Sequence, residues 1–334
     1  MKVFSANSLK GVLGFSMLVG LLSCQQSDDA DTKTAETKVI KVGHFPNVTH
    51  IQALVARNMA RHGKGWFEGK VPGYTFEWYA FNAGPSAMEA IFGKTIDLVY
   101  VGPSPAINAY CVSQGKDIRI LSGAVKGGAA LLVQPDSQMK SPQDFKGKSI
   151  ATPQLGNTQD ISARAWFAHA GHPISLEGDG FCRILPTPNS MQVNLFRQKQ
   201  LDAAWTVEPW VSYIEQDANG KLIIQDDNVI TTVLAGRTSW LDHYPDLTQK
   251  IKQAHEELTL WILNNPQEAK KIIKEELSLL TQGEIPDSII ESAWNRLKLS
   301  NEIDIRGLQQ FVQDAQDAGL LEQKTPDIKG IVYQ

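Results

Sequence analysis

Two related stretches of the sequence decide the fold: KTIDLVY at residues 94–100 and KQLDAAW at residues 199–205. Both follow the pattern Lys-x-(Ile/Leu)-Asp-x-x-aromatic, and each comes after a predicted helix that begins with Pro and Ser. Both stretches end in an apolar run, which favours a buried parallel strand. The shared strand–helix–strand setting argues against a chance match. The repetition therefore predicts two α/β units of similar design.

Strands and helices alternate on both sides of this repeat. Apolar periodicity in the first half predicts strands at 39–42, 74–81, 96–101 and 118–121, with helices at 49–59, from the turn at 82–86 to residue 92, and from the turn at 102–105 to about residue 112. In the second half it predicts strands at 148–151, 184–185 and 201–205, with helices from the turn at 156–160 to about residue 171 and from 189 to 198. Such alternation is typical of parallel sheets covered by helices.

The chain is expected to cross twice between the two units. The apolar extended runs at 129–133 and 229–235 are the candidate crossover strands. Four helical segments near the C-terminus most simply return to the first unit, at 247–263, 266–280, 286–297 and 305–318. The predicted domains are lobe 1 from residues 39–128 and 234–334, and lobe 2 from residues 129–233. A cleft between two lobes is a favoured place for a ligand.

The N-terminus has the features of a secreted lipoprotein. Residues 1–23 combine Lys2 and Lys10 with an apolar segment that is too short to span a bilayer stably, which indicates a signal peptide. The run LLSC at residues 21–24 resembles a lipobox and predicts that Cys24 carries the lipid, such as palmitate. An ordinary signal peptide with a chance cysteine is the alternative. Residues 24–38 are polar and predict a tether. We therefore expect a lipid-anchored protein on the periplasmic side of a bacterial membrane.

Charge and cysteine content narrow the class further. The net charge of −4 falls to about −6 once Lys2 and Lys10 leave with the signal peptide, and no Lys/Arg cluster is present. An acidic chain of this kind argues against nucleic acid as a partner. Cys111 and Cys182 either form a disulfide or remain as buried free thiols. We expect a monomer that binds no cofactor.

Several predicted helices begin with turns that suit an anion. The turns combine Gly, Pro, Ser, Thr and Asn at residues 82–86, 102–105, 156–160 and 188–190. The free N–H groups of a helix start attract an anion, and the hydroxyls of Ser86, Ser104 and Thr158 would add donors. Each turn taken alone is better explained by helix capping. Several of them at one cleft predict an anion site.

Other side chains near these turns are weaker candidates. Phe45 and Trp205 are expected to flank the organic part of a ligand, although core packing explains most of the aromatic residues. His44 is either a donor to an anion or a structural histidine. Glu208 either receives a cationic group of the ligand or holds a loop.

Catalytic and metal-binding patterns are missing from the sequence. It contains no Gly-x-Ser-x-Gly, His-Glu-x-x-His or Cys-x-x-Cys motif and no glycine-rich phosphate loop. His169 and His172 lie near a predicted helix end with no third ligand in the neighbouring sequence, so zinc binding is not expected. These observations favour a binding protein over an enzyme.

The motifs together resemble a known family. Residues 43–47 (GHFPN), 81–86 (FNAGPS), 102–105 (GPSP), 151–160 (ATPQLGNTQD) and 204–210 (AWTVEPW) are similar to the nitrate/sulfonate/taurine substrate-binding proteins of ABC transporters. The resemblance implies an α/β fold of the type II periplasmic-binding-protein class, with two lobes, two crossover strands and a cleft that closes on its ligand. It also implies an ABC permease and an ATPase as partners.

The resemblance also implies a ligand and a site. The ligand expected is a small oxyanion, most simply an aliphatic sulfonate or a taurine-like compound. The resemblance implies Gly84, Ser86, Ser104, Asn157, Thr158 and Trp205 as ligand-binding residues. The position of other residues in or near the same turns adds His44, Phe45, Asn47, Gly102, Gln159 and Glu208 to the expected site. Nitrate, a thiamin-pyrimidine precursor or an aromatic acid are alternative ligands. An enzyme of the thiamin-pyrimidine synthase type, or a sensor or adhesin that binds no small molecule, are alternative functions, although the cysteine-rich motif of those enzymes is missing here.

Overall fold

Eleven strands and twelve helices are described by the computed structural model, which covers residues 38–177, 180–225 and 227–334. The strands are β1 (Lys38–His44), β2 (Tyr74–Ala80), β3 (Leu98–Val101), β4 (Ile118–Gly127), β5 (Ala129–Val133), β6 (Ser149–Thr152), β7 (Arg183–Pro186), β8 (Ala203–Val207), β9 (Lys221–Gln225), β10 (Ile230–Arg237) and β11 (Leu297–Leu299). The predicted signal peptide at 1–23, the predicted lipid attachment at Cys24 and the predicted tether at 24–38 lie outside the described residues, apart from Lys38.

The helices alternate with these strands in the first two thirds of the chain and then follow one another. They are α1 (Ile51–Arg61), α2 (Trp66–Lys70), α3 (Gly84–Phe92), α4 (Pro103–Val112), α5 (Thr158–His169), α6 (Asn189–Arg197), α7 (Trp210–Ala218), α8 (Thr238–His243), α9 (Pro245–Asn264), α10 (Pro266–Thr281), α11 (Asp287–Asn295) and α12 (Ile305–Asp317). Short 3-10 helices lie at Val48–His50, Pro142–Phe145 and Ile328–Ile331. Within the described ranges, no helix combines the length and the apolar character needed to cross a membrane.

The strands form two mixed sheets. The first sheet has the order β11-β4-β10-β3-β1-β2, and the second has the order β7-β6-β8-β5-β9. In the first sheet β1 runs parallel to β2 and β3, while β10 runs antiparallel to β3 and β4. In the second sheet β6 runs parallel to β7 and β8, while β5 runs antiparallel to β8 and β9. The α/β class predicted from the sequence is confirmed.

Each half of the sequence repeat supplies a central strand of one sheet. β3 is buried along its whole length, and its side chains alternate between the two faces of the first sheet. Leu98 and Tyr100 pack into the core on one face, and Val99 and Val101 into the core on the other. β8 divides its side chains in the same way, with Trp205 on one face and Ala204 on the other.

The chain passes between the sheets at two places. The first is Gly127–Gly128, between β4 and β5, where both residues have positive φ (77° and 75°). A Cβ on Gly127 would lie 2.4 Å from the backbone oxygen of Arg296, so the turn requires glycine on conformational and steric grounds. The second is the short segment between β9 and β10. The two predicted crossover runs are thus strands, β5 in the second sheet and β10 in the first. The changeovers, where the chain passes from one sheet to the other, lie just before each of them.

Most of the C-terminal helices pack on the first sheet. Buried residues of α9, α10 and α11 share a core with Ile40 and Val42 of β1. α12 differs, because it packs against α4 on the first sheet and also against α5 on the second. At the end of that contact His169 Nε2 lies 2.9 Å from the carboxylate of Asp317. The last long helix therefore bridges the two sheets.

The two remaining cysteines are free. Both Cys111 and Cys182 are buried, and neither is in a disulfide. Burial raises the pKa of the Cys111 thiol, and it raises that of Cys182 to about 12. Of the two alternatives left open by the sequence, the structure therefore shows buried thiols, which are inert at neutral pH.

Candidate functional site

The candidate site is a pocket between the two sheets. Its lining residues come from both sides: Phe45, Asn47, Thr49, His50, Asn82, Ala83, Gly84, Gly102, Pro105, Pro153, Asn157, Thr158, Gln159, Asn189, Val207 and Thr231. The cavity between them is small, with a volume of about 20 Å³. The pocket is therefore narrow and suits a small molecule or a small head group.

Four helix starts supply most of the lining. α3 and α4 begin at the pocket on the side of the first sheet, and α5 and α6 begin there on the side of the second. Gly84, Thr158 and Asn189 are the first residues of α3, α5 and α6. The N–H groups of a first helical turn have no partner inside the helix, and the helix dipole makes that end positive. Such a set of helix starts favours an anion.

Thr158 and Gly102 lie close together across the pocket. A Cβ built on Gly102 would lie 2.4 Å from Oγ1 of Thr158, so only glycine leaves room for the hydroxyl. Thr158 is 4% exposed and its hydroxyl has no hydrogen-bond partner among the described residues. A buried hydroxyl without a partner is costly, and a ligand oxygen would satisfy it.

His50 adds a neutral donor to the lining. The Phe45 N–H donates to Nδ1 of His50 over 3.4 Å, so the proton of the neutral ring is on Nε2. Burial, together with the neighbouring His44, holds the pKa of His50 well below its usual value. The ring therefore stays uncharged at neutral pH, and the Phe45 ring lies against it at 4.3 Å between centroids.

Asparagine and glutamine side chains on the lining are fixed by their neighbours. Asn47 Oδ1 accepts a hydrogen bond from Trp210 Nε1 over 2.9 Å. Asn157 caps α5 by accepting from the Asp160 N–H, and it donates to Oε1 of Gln159. These bonds use the oxygen atoms of Asn47 and Gln159, which leaves their amide N–H groups as donors.

No carboxylate or cationic side chain is among the described residues that line the pocket. Two acidic residues are next to lining residues in the chain, but both are buried behind the wall. Glu208 accepts hydrogen bonds from Ser212 and Arg296, and Asp160 accepts from Arg164, Thr152 and the Gly156 N–H. The site is thus electrically neutral and rich in hydrogen-bond donors.

Most of the residues predicted from the sequence come together at this pocket. The lining includes Phe45, Asn47, Gly84, Gly102, Asn157, Thr158 and Gln159. The structure places His44, Ser86, Ser104, Trp205 and Glu208 outside it. Whether these side chains reach the pocket depends on the direction in which they point, and tertiary packing sets that direction.

His44 and Trp205 point into the protein. His44 is fully buried, donates from Nδ1 to the Phe45 carbonyl over 3.2 Å, and has its ring 6.0 Å from that of Trp78. Trp205 is 8% exposed and packs against Trp166 of α5. We therefore assign His44 and Trp205 to the core and remove them from the site.

The two predicted serines also lie behind the lining. Ser86 Oγ is 3.2 Å from Oε1 of Gln154, a contact that connects the α3 side of the pocket with the α5 side. Ser104 is 2% exposed and its hydroxyl has no partner among the described residues, but it does not reach the pocket. Neither hydroxyl is therefore placed to contact a ligand in this arrangement.

Glu208 holds a loop and does not face a ligand. Its carboxylate is unexposed and lies 2.7 Å from Nη1 of Arg296, which also pairs with Glu215. Its backbone oxygen accepts from the Val48 N–H, and its N–H donates to the Gly128 carbonyl. Of the two roles considered for Glu208, these contacts favour the second, because the bonds to Arg296 and Val48 connect the loop after β8 with residues next to the first sheet.

The sequence interpretation missed part of the lining. The residues missed are Thr49, His50, Asn82, Ala83, Pro105, Pro153, Asn189, Val207 and Thr231. Asn82, Pro105 and Asn189 lie inside the turns that the sequence singled out, so the turns themselves were a usable signal. His50 and Thr231 carried no such signal, because they lie inside the predicted helix at 49–59 and the predicted crossover run at 229–235. Among the described residues, no group of three or more His, Cys, Asp or Glu side chains is arranged to hold a metal ion.

The structure resembles solved bacterial proteins over most of its length. The alkanesulfonate-binding protein SsuA from Xanthomonas axonopodis pv. citri, bound to MOPS, gives a TM-score of 0.71 at 20% identity, covering 90% of this chain and 99% of that one. The periplasmic nitrate-binding protein NrtA from Synechocystis PCC 6803 gives 0.69 at 16%, covering 86% and 83%. A ligand-binding component of an ABC-type import system from Staphylococcus aureus, solved with zinc bound, gives 0.69 at 16%, covering 89% and 96%. The fold is that of the periplasmic binding proteins.

Sequence comparison identifies the protein family more narrowly than the fold does. The sequence model of the NMT1-like family matches residues 33–276, and the chain belongs to this family. The taurine-binding periplasmic protein of Escherichia coli (strain K12) is 23% identical over 230 residues, which is 65% of this chain and 68% of that protein. The resemblance and the fold predicted from the sequence motifs are thereby confirmed.

Proposed function

We propose that this protein is the substrate-binding component of an ABC importer and that it captures a small oxyanion of the aliphatic sulfonate class in the pocket between its two sheets. The observation that carries the proposal is the unpartnered, buried hydroxyl of Thr158 at a place where four helix starts meet. The relatives that bind alkanesulfonate, taurine and nitrate support the same ligand class.

A sulfonate or similar anion does not need a cation in this site. Its oxygens can accept from the helix-start N–H groups, the Thr158 hydroxyl and the Nε2–H of His50. Hydrogen bonds to a charged acceptor are shorter and about twice as strong as neutral ones. Several such donors at one place compensate for the water that the anion leaves behind.

The same chemistry supports binding without catalysis. His50 is the one lining residue among those described that titrates near neutral pH in ordinary surroundings, and its pKa is held far below that range. A general base works best when its pKa lies near the working pH. The pocket therefore offers positioned donors and no group suited to proton transfer.

We also propose a closing motion for capture and release. The two sheets, each with its helices, would act as two lobes, with the changeovers at Gly127–Gly128 and between β9 and β10 as hinges. The contacts across the pocket, such as Ser86 with Gln154 and Asn47 with Trp210, would break when the lobes separate. We propose that the second lobe runs from Ala129 to Gln225, and the pairing of β10 with strands of the first sheet along its length supports this boundary.

The sequence and the relatives support a proposal for the cellular setting. The lipobox-like run before Cys24 supports a lipid anchor on the periplasmic side of a membrane, and the polar residues up to 38 support a tether. A binding protein of this type delivers its ligand to a permease that an ATPase drives. We expect the protein to work as a monomer.

A thermal-shift screen tests the proposal. The purified protein is heated with sulfonates, nitrate, phosphonates, thiamin precursors and aromatic acids in parallel. A ligand at about 100 times its dissociation constant stabilises a protein by about 2.7 kcal/mol, which is a visible shift in Tm. Stabilisation by a neutral heterocycle and by no oxyanion would refute the proposal.

A further inference from the structure

The described residues that line the pocket offer hydrogen-bond donors and no negative charge. The lining offers helix-start N–H groups, the Thr158 hydroxyl, the Nε2–H of His50 and side-chain amides, and it includes no carboxylate among the described residues. Each of these groups favours a negative charge on the ligand. None of them compensates a positive charge, which requires an anion at close range.

The first nearby carboxylate is unavailable because Arg296 holds it. Glu208 follows the lining residue Val207, yet its side chain is unexposed. One of its oxygens lies 2.7 Å from Arg296 Nη1 and 3.0 Å from Ser212 Oγ, and the other accepts from the Ser212 N–H over 3.1 Å. A cationic group on the ligand would have to displace a guanidinium to reach it.

The second nearby carboxylate is held in the same way. Asp160 follows the lining residue Gln159, and its side chain is also unexposed. Its oxygens accept from Arg164 Nε, from Thr152 Oγ1 and from the Gly156 N–H, each over 2.9 Å. These bonds fix the turn before α5, so the carboxylate is committed to the protein.

We infer that the site selects sulfonates without an ammonium group and discriminates against taurine, the aminosulfonate. This inference rests on the proposed function and narrows its substrate class. An ammonium group that leaves water for this pocket loses its hydration and meets donors in place of acceptor anions. A hydroxyl group at the same position on the ligand carries no charge, and it can accept a hydrogen bond from the lining amides.

Two ligands of the same size test the inference. Taurine and 2-hydroxyethanesulfonate have the same number of heavy atoms and differ only in the terminal ammonium or hydroxyl group. Titration calorimetry of the purified protein with each is expected to give at least about tenfold tighter binding of the hydroxyl compound. Equal binding, tighter binding of taurine, or failure of the hydroxyl compound to bind would overturn the inference.

A charge introduced on the lining gives an independent test. Asn189 lines the pocket and accepts from the Thr206 hydroxyl over 2.9 Å, a bond that an aspartate also accepts. Asn189→Asp should weaken 2-hydroxyethanesulfonate at least about tenfold and shift the ratio of the two affinities towards taurine by about the same factor. The matched control is Asn194→Asp, on the exposed face of the same helix, which should change neither affinity.

The two proposals fail in different ways. Binding of taurine in preference to the hydroxyl compound would leave a sulfonate-binding protein and overturn only the discrimination. A lack of binding to every sulfonate would refute the proposed function itself. An unchanged affinity ratio in Asn189→Asp, with the variant folded by circular dichroism, would show that the lining does not set the preference.

Discussion

Replacing Gly102 by alanine should separate closure of the pocket from stability of the fold. The new Cβ would lie 2.4 Å from Thr158 Oγ1, whereas ordinary contacts begin at 3.4 Å, so the two sides must move apart by about 1 Å. Overpacking of this kind costs about 1–3 kcal/mol. Because the strain exists only while Gly102 and Thr158 face each other, we expect it to weaken ligand binding by about 5- to 150-fold.

Titration calorimetry with a sulfonate and thermal unfolding without ligand measure the two effects. The dissociation constant of Gly102→Ala should rise within that range, while the Tm of the free protein should change little, because a modest opening relieves the strain. Gly69→Ala is the matched control, since Gly69 lies in α2 with nothing within 4 Å of an added Cβ. Its expected effect is a slight stabilisation with unchanged affinity.

A double-mutant cycle assigns the effect to the contact itself. In a Thr158→Ala background the oxygen that meets the new Cβ is gone, so Gly102→Ala should then cost almost nothing further in affinity. Equal losses from Gly102→Ala in both backgrounds would refute the steric reasoning. So would a variant that binds as tightly as the wild type.

Three further predictions concern the Thr158 hydroxyl, the Arg296–Glu208 ion pair and two buried histidines. Thr158→Val removes a hydroxyl that has no protein partner, so stability should hold while sulfonate affinity falls by about 10- to 150-fold in calorimetry, and an unchanged affinity would contradict its role. Arg296→Met should lower the free energy of unfolding by about 3–5 kcal/mol in urea titrations, because Glu208 is left buried without its cation, and adding Glu208→Gln should recover part of the loss. Burial lowers the pKa of His44 and of His255 to about 4, so the unfolded chain binds protons below pH 6.5 that the folded chain does not. Stability should therefore fall between pH 6.5 and 4, by about 3 kcal/mol for each histidine, and urea titrations that show no such loss would contradict this.

The alternation of strands and helices was readable from the sequence because it is local. The apolar run before Gly102 and the cap-forming residues after it predict a buried strand and a helix start, and both are present. No helix was predicted after the strand at 201–205, whereas α7 begins at Trp210, directly after Pro209. β9 and β11 were missed because each is a short strand whose pairing depends on a distant partner.

The site residues that could be predicted from the sequence are those that depend on local structure, and those that depend on tertiary packing could not be predicted. Helix starts are local features, so Gly84, Gly102 and Thr158 could be found from Gly, Pro and hydroxyl residues in turns. Side-chain direction depends on the register of each strand, and this turned Trp205 to the face that α5 covers. His50 was missed because its Nε2–H becomes a donor only when Phe45 occupies the other ring nitrogen.

One measurement tests the central claim most directly. The purified protein is titrated calorimetrically with 2-hydroxyethanesulfonate, and the ligand is then released by denaturation and identified by mass spectrometry. We predict one site per chain, with the sulfonate recovered chemically unchanged. Recovery of a converted product, or binding of a neutral heterocycle by a protein that takes up no oxyanion, would contradict the account.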